Sequence, residues 1–121
     1  MGNRAIIVST GITNGITAGI YVHWFDKGTL ENALEEMKAR GYRDPANDAE
    51  YGMARLCQVL CERYPDGLNI GLTTVDFWDE DINEYLDVGL IAVDYHGIHR
   101  LKWDGRGYAY AEFEFEDEEE D

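Results

Sequence analysis

Carboxylates are the side chains this chain offers in quantity, and the chemistry open to a surface row of them is the capture of lysine and arginine. Of 25 Asp and Glu residues, set against 10 Lys and Arg, sixteen stand in two windows without a single base: eight in residues 64–99 and eight in residues 107–121. Residues 1–63 nearly balance, with eight acids and seven bases. The net charge of −15 is therefore concentrated rather than spread. A concentrated negative field draws in basic partners and repels nucleic acid and anionic membranes. In the first window Asp76, Asp79, Glu80, Asp81, Glu84 and Asp87 recur mostly at spacings of three and four. On a short helix Asp76, Glu80, Glu84 and Asp87 would share one side, with Phe77, Ile82 and Tyr85 free to anchor it. In the second window the alternation of a strand puts Tyr108, Tyr110, Glu112, Glu114 and Glu116 on one face, successive residues of that row about 6.8 Å apart. Extended, residues 112–121 would span about 34 Å with a carboxylate every ~4 Å, close to the ~3.4 Å phosphate spacing of one DNA strand. Exposed tyrosines beside such a row suit a binding face, because interfaces are enriched in aromatics. The partner expected from these residues is a basic, nucleic-acid-binding protein.

Other chemistries find less support. Asp79, Asp81 and Asn83 begin like an EF-hand loop, but the sixth position holds Glu84 instead of glycine and the twelfth Leu90 instead of glutamate. Asp94, His96 and His99 lack a fourth zinc ligand nearby, and they read as turn and surface residues. His23 reads as a hydrogen-bonded structural residue. Ser9 is the only serine, no nucleophile elbow surrounds it, and no phosphate-binding glycine loop is present. Cys57 and Cys61, four apart in a helical segment, read as small core residues on one face. The expectation is a protein that is not an enzyme and carries neither metal nor cofactor.

The elements that must position the acids are legible from periodicity. The run Ala-Ile-Ile-Val from Ala5 reads as a strand, and Asn14-Gly15 as a turn. Residues 16–24 alternate, with Ile16, Ala18, Ile20, Val22 and Trp24 on one face. Asp26-Lys-Gly28 breaks that strand, and Thr29 can cap a helix carrying Leu30, Ala33, Leu34 and Met37, which Gly41 stops. Asp48 can cap a second helix, with Met53, Leu56, Cys57, Leu60, Cys61 and Tyr64 along its apolar stripe. Further strands are expected over residues 68–75, 88–93, 98–103 and 108–116. Residues 1–116 form one domain and residues 117–121 an acidic tail expected to fray. The order predicts an α+β fold, a mostly antiparallel sheet of five to six strands with an opening hairpin and two amphipathic helices on one face. No apolar run reaches the roughly 20 residues of a membrane span, and the opening run is too short for a signal-peptide core, so a cytosolic setting is expected.

Three stretches, Gly2-Asn-Arg-Ala-Ile-Ile-Val8, Gly19-Ile-Tyr-Val-His-Trp24 and Tyr51-Gly-Met-Ala-Arg-Leu-Cys-Gln58, resemble a family of small, mostly uncharacterised proteins encoded by phages and prophages. A looser echo is Asp87-Val-Gly-Leu-Ile-Ala-Val-Asp94. The resemblance implies a mobile-element origin and a bacterial cytosol, and brings no activity with it. Joined to the acidity, it makes the expected function that of a DNA-mimicking inhibitor of a host defence complex, an anti-CRISPR protein first. The alternative is a non-enzymatic phage accessory or structural module whose acids serve solubility.

Overall fold

A computed structural model describes residues 3–64 and 69–111. Six strands, Ala5–Ser9 (β1), Ile16–Val22 (β2), Ile70–Asp76 (β3), Gly89–Asp94 (β4), Gly97–Trp103 (β5) and Tyr108–Ala111 (β6), form one sheet in the order β3-β2-β1-β4-β5-β6. All neighbours pair antiparallel except β1 and β4, which run parallel. Two helices, Lys27–Arg40 (α1) and Ala49–Arg63 (α2), connect β2 to β3. The α+β fold read from periodicity is thus the fold observed.

Local chemistry explains the boundaries. Asp26, read as part of a strand breaker, is the N-cap of α1, its Oδ2 accepting from the Thr29 N–H at 2.9 Å and the Thr29 hydroxyl at 2.7 Å. The helix therefore begins two residues before Thr29, which serves the cap instead of being it. Asp48 caps α2 through the Tyr51 N–H at 3.3 Å. The two helices are tied at their surface by Arg40, which meets Glu36 at 2.8 Å and Glu62 at 2.7 Å.

The helices cover one sheet face, where Ile7, Ile20, Val22 and Ile91 pack against Leu30, Met37, Leu56 and Leu60. The buried arc of α2 is Gly52, Leu56, Val59 and Leu60. Of the stripe expected for α2, Leu56 and Leu60 are buried, Met53, Cys57 and Tyr64 pack half-buried against the core, and Cys61 is a correction, being exposed. Packing is close at the helix start. A Cβ on Gly52 would stand 2.6 Å from Pro45 Cα, so only the bare glycine seats there, on the same buried side as Leu56, Val59 and Leu60. On β2 only Ile20 and Val22 of the apolar face are buried, while Ile16 is 67% exposed. An apolar groove of about 410 Å³ is left open between α2 and the β2–β3 end of the sheet.

The opposite face has a core of its own, built from Val8, Val75, Phe77, Ile82, Leu90 and Leu101. The topology dictates what covers it. β3 lies at an edge and β4 beside β1, so the chain between them must cross beneath the intervening strands. Residues 77–88, the first acidic window, make that crossing. β4 is consequently covered on both faces, which is why Leu-Ile-Ala-Val reads as a continuous apolar run instead of an alternating one.

Candidate protein-interaction surface

The acidic crossing is a strap bent by its own carboxylates. Asp76 Oδ1 accepts from the Trp78 N–H at 3.0 Å and Asp79 Oδ1 from the Asp81 N–H at 2.9 Å, two side-chain turns in succession. A single 3₁₀ turn, Ile82–Tyr85, follows. No helix long enough to align Asp76, Glu80, Glu84 and Asp87 on one side forms, because these aspartates compete with the backbone for its own N–H groups.

Ahead of Asp87, three contacts hold the strap against the sheet. Phe77 and Ile82 are buried in the second core, as expected of anchors. Tyr85, expected to anchor with them, points out and is 61% exposed. The Tyr108 hydroxyl donates to the Asp79 carbonyl at 2.6 Å and accepts from the Ile82 N–H at 3.2 Å. Burial pushes the Tyr108 phenol above its ordinary value, which keeps the donated proton in place. The tyrosine expected to lie exposed beside the acidic row is therefore half-buried beneath the strap. Asn83 makes the third contact. Its Nδ2 donates to the Leu101 carbonyl at 2.9 Å and its Oδ1 accepts from the Leu90 N–H at 2.8 Å. Leu90 and Leu101 are partners in the β4–β5 ladder, so the carboxamide inserts between groups the register turns towards each other. Gly89, at φ 119°, gives the kink that admits it.

The acids expected to bind a partner divide accordingly. Glu80 and Glu84 are exposed, Asp79 and Asp81 half-buried at the strap's bend, and Asp76 exposed at its start. Asp87 is exposed as well, but it is already paired within the chain. Its carboxylate is gripped by Arg4 through Nε at 3.0 Å and Nη2 at 3.3 Å, and it also accepts from the Arg4 N–H at 3.1 Å. The guanidinium holds the Asp87 carboxyl below the usual range. A charge answered internally adds little to an outward row. Tyr110 is exposed and stacks on His99, ring centroids 4.7 Å apart. Glu112, Glu114 and Glu116, and the acidic tail, lie outside the described residues.

Two residues that the spacing of acids does not single out belong to this surface. Trp78 is 75% exposed at the first bend, and Asn83 supplies the pin. An indole and a carboxamide amid six acids are the signal that could have marked them: neither serves charge, so each must serve contact or hydrogen bonding.

The other candidate groups are occupied with structure. Asp94 accepts from the His96 and Gly97 N–H groups and from the Thr10 hydroxyl, which shapes the β4–β5 turn. His23 Nδ1 shares a hydrogen bond with the Tyr21 hydroxyl at 3.1 Å. Burial, reinforced by Cys61, pushes the Cys57 thiol up, away from thiolate reactivity. Among the described residues no group of three or more His, Cys, Asp or Glu side chains is placed to hold a metal ion. Among them, too, no helix is long and apolar enough to cross a membrane. Comparison with protein-family models, with curated proteins and with solved structures finds no match.

Proposed function

We propose that this chain is a phage-encoded, non-enzymatic inhibitor acting in the host cytosol, where its acidic strap occupies the DNA-binding surface of a nucleic-acid-binding defence complex, a CRISPR effector first. The observation that carries the reading is the pinning of the strap. Asn83, Tyr108 and Ile82 fix a segment whose outward side chains include Glu80 and Glu84. Acids kept only for solubility need no fixed backbone, whereas a charge pattern recognised by a groove built for phosphates does. Trp78 and Tyr85, exposed on the same strap, supply the apolar contact that charge alone lacks. Effector channels hold nucleic acid by its backbone, so a row of carboxylates meets lysines and arginines already placed for phosphates.

The test is competition. Purified effector complex is mixed with labelled target DNA and increasing amounts of the full chain, at about 50 and 200 mM salt. The wild-type chain should displace DNA at low salt and lose most of that ability at the higher concentration. Glu80→Lys with Glu84→Lys should abolish displacement while the far-UV spectrum is unchanged. If a large molar excess leaves DNA binding untouched at the lower salt across CRISPR and restriction complexes, the inhibitor reading fails.

A further inference from the structure

The acidic strap is not the only unfinished surface. β3 is the first strand of the sheet, and among the described residues nothing pairs beyond it. Its outward hydrogen-bonding groups can be identified from the ladder. The His23 N–H donates to Asn69 O at 2.9 Å, and the Phe77 N–H to Gly15 O at 2.8 Å. Both pairs continue the β2–β3 register, in which every second residue turns its N–H and C=O towards β2. Gly71, Thr73 and Val75 therefore face inward, and Ile70, Leu72 and Thr74 present their backbone groups at the open edge.

Natural sheets guard such edges with lysine, proline or a bulge. From Ile70 to Val75 this edge has no charged residue and no proline, and it pairs with β2 residue for residue. Beside it Leu72 is 73% exposed, and the groove behind it is lined by Ala18, Ile20, Met53 and Cys57. Acids border the patch: Glu50 lines the groove and Asp76 ends the strand. A second copy would bring another net −15 to this edge, and like-charge repulsion opposes that approach. A basic segment is attracted instead.

We propose that β3 takes up an extended segment of a basic partner protein as an added strand, apolar residues alternating with lysine or arginine. Backbone groups of Ile70, Leu72 and Thr74 hold the segment in register. Its apolar side chains fall on Leu72 and the groove, while its bases, turned to the opposite face, are drawn by the chain's net negative charge. This surface lies at the sheet edge and on the helix face, so the proposal stands apart from the role given to the strap.

The probe is an eight-residue peptide alternating leucine with lysine. The controls are a scrambled peptide of the same composition, an N-methylated form blocked at every second amide, and a leucine–glutamate analogue. Amide exchange in the full chain should slow on peptide addition at Ile70, Leu72 and Thr74, with Gly71, Thr73 and Val75 unchanged because their bonds already exist. The scrambled and N-methylated peptides should bind about tenfold more weakly or worse. Thr74→Pro, which takes an N–H from the open edge and none from the β2 ladder, and Leu72→Lys should each weaken binding by a similar factor, and Glu80→Lys with Glu84→Lys should leave the exchange footprint in place. Equal binding of the scrambled or the glutamate peptide overturns the proposal, as does no slowing at the three edge amides. Dimerisation of the chain alone that Leu72→Lys abolishes would assign the edge to a second copy and likewise overturn it.

Discussion

Asp87 and Glu84, three residues apart, carry the same charge and do opposite things with it. Both are exposed, but Asp87 is bound twice by the Arg4 side chain and once by its backbone, and Glu84 is left facing solvent. Because Arg4 depresses the Asp87 pKa in the folded state, the unfolded chain binds that proton more readily. The pair's contribution to stability is therefore complete above the unfolded value of about 4 and fades as pH falls through the lower folded one. Thermal melts from about pH 5 down to pH 2 should show a steeper loss for wild type than for Asp87→Asn, whose curve should be flatter in that window. Asn83 is the other residue whose role depends on position. Asn83→Ala would leave the Leu90 N–H and Leu101 C=O without the carboxamide between them, at a cost of about 1–3 kcal/mol read from the urea midpoint.

The strap behaves as one element because its fastenings are spread along it: Phe77 at the start, Tyr108 and Ile82 in the middle, Asn83 and Asp87 towards the end. Removing one should loosen its neighbours before it unfolds the domain. Tyr108→Phe keeps the ring's contacts with Phe77 and Trp103 and removes only the hydroxyl. Global stability should fall by about 1 kcal/mol, while exchange protection at Ile82 and at Glu84, whose N–H bonds to Asp81 O, should drop more than in β1 or β4. Uniform loss of protection across the sheet would mean the strap is not a separate element. The helices were the more legible elements. Asp48 and Gly41 stand where capping chemistry requires, and Glu36–Arg40 forms at the spacing that helix geometry favours. The edge of the inward side of α2 was less legible, since Cys61 continues the spacing of Met53 and Cys57 yet is exposed, while Val59, outside the expected stripe, is buried. The close approach of Gly52 to Pro45 is a tertiary contact that helix spacing does not express.

For the whole molecule, the excess of fifteen negative charges opposes compaction, so removing exposed acids should not weaken the fold. Glu80→Gln with Glu84→Gln should change stability by no more than about 0.5 kcal/mol, with any shift upward and shrinking as salt is added. If the proposed inhibitor role holds, the same double substitution should weaken competition with DNA. A variant that loses stability in step with competition would place those glutamates in the fold instead of on a binding face. Periodicity, capping residues and turn residues decide the elements of this protein, because those are contests between a side chain and the backbone within a few positions. Charge content and its confinement to two windows are likewise properties of the chain alone. What required the tertiary structure was everything set by residues far apart: the parallel pairing of β1 with β4, the route of the acids beneath the sheet, the claim of Arg4 on Asp87 across 83 positions, and the burial of Tyr108 under a segment that precedes it. Such contacts depend on strand order, and strand order is settled by how two apolar faces are covered at once, a condition that no local stretch of sequence expresses.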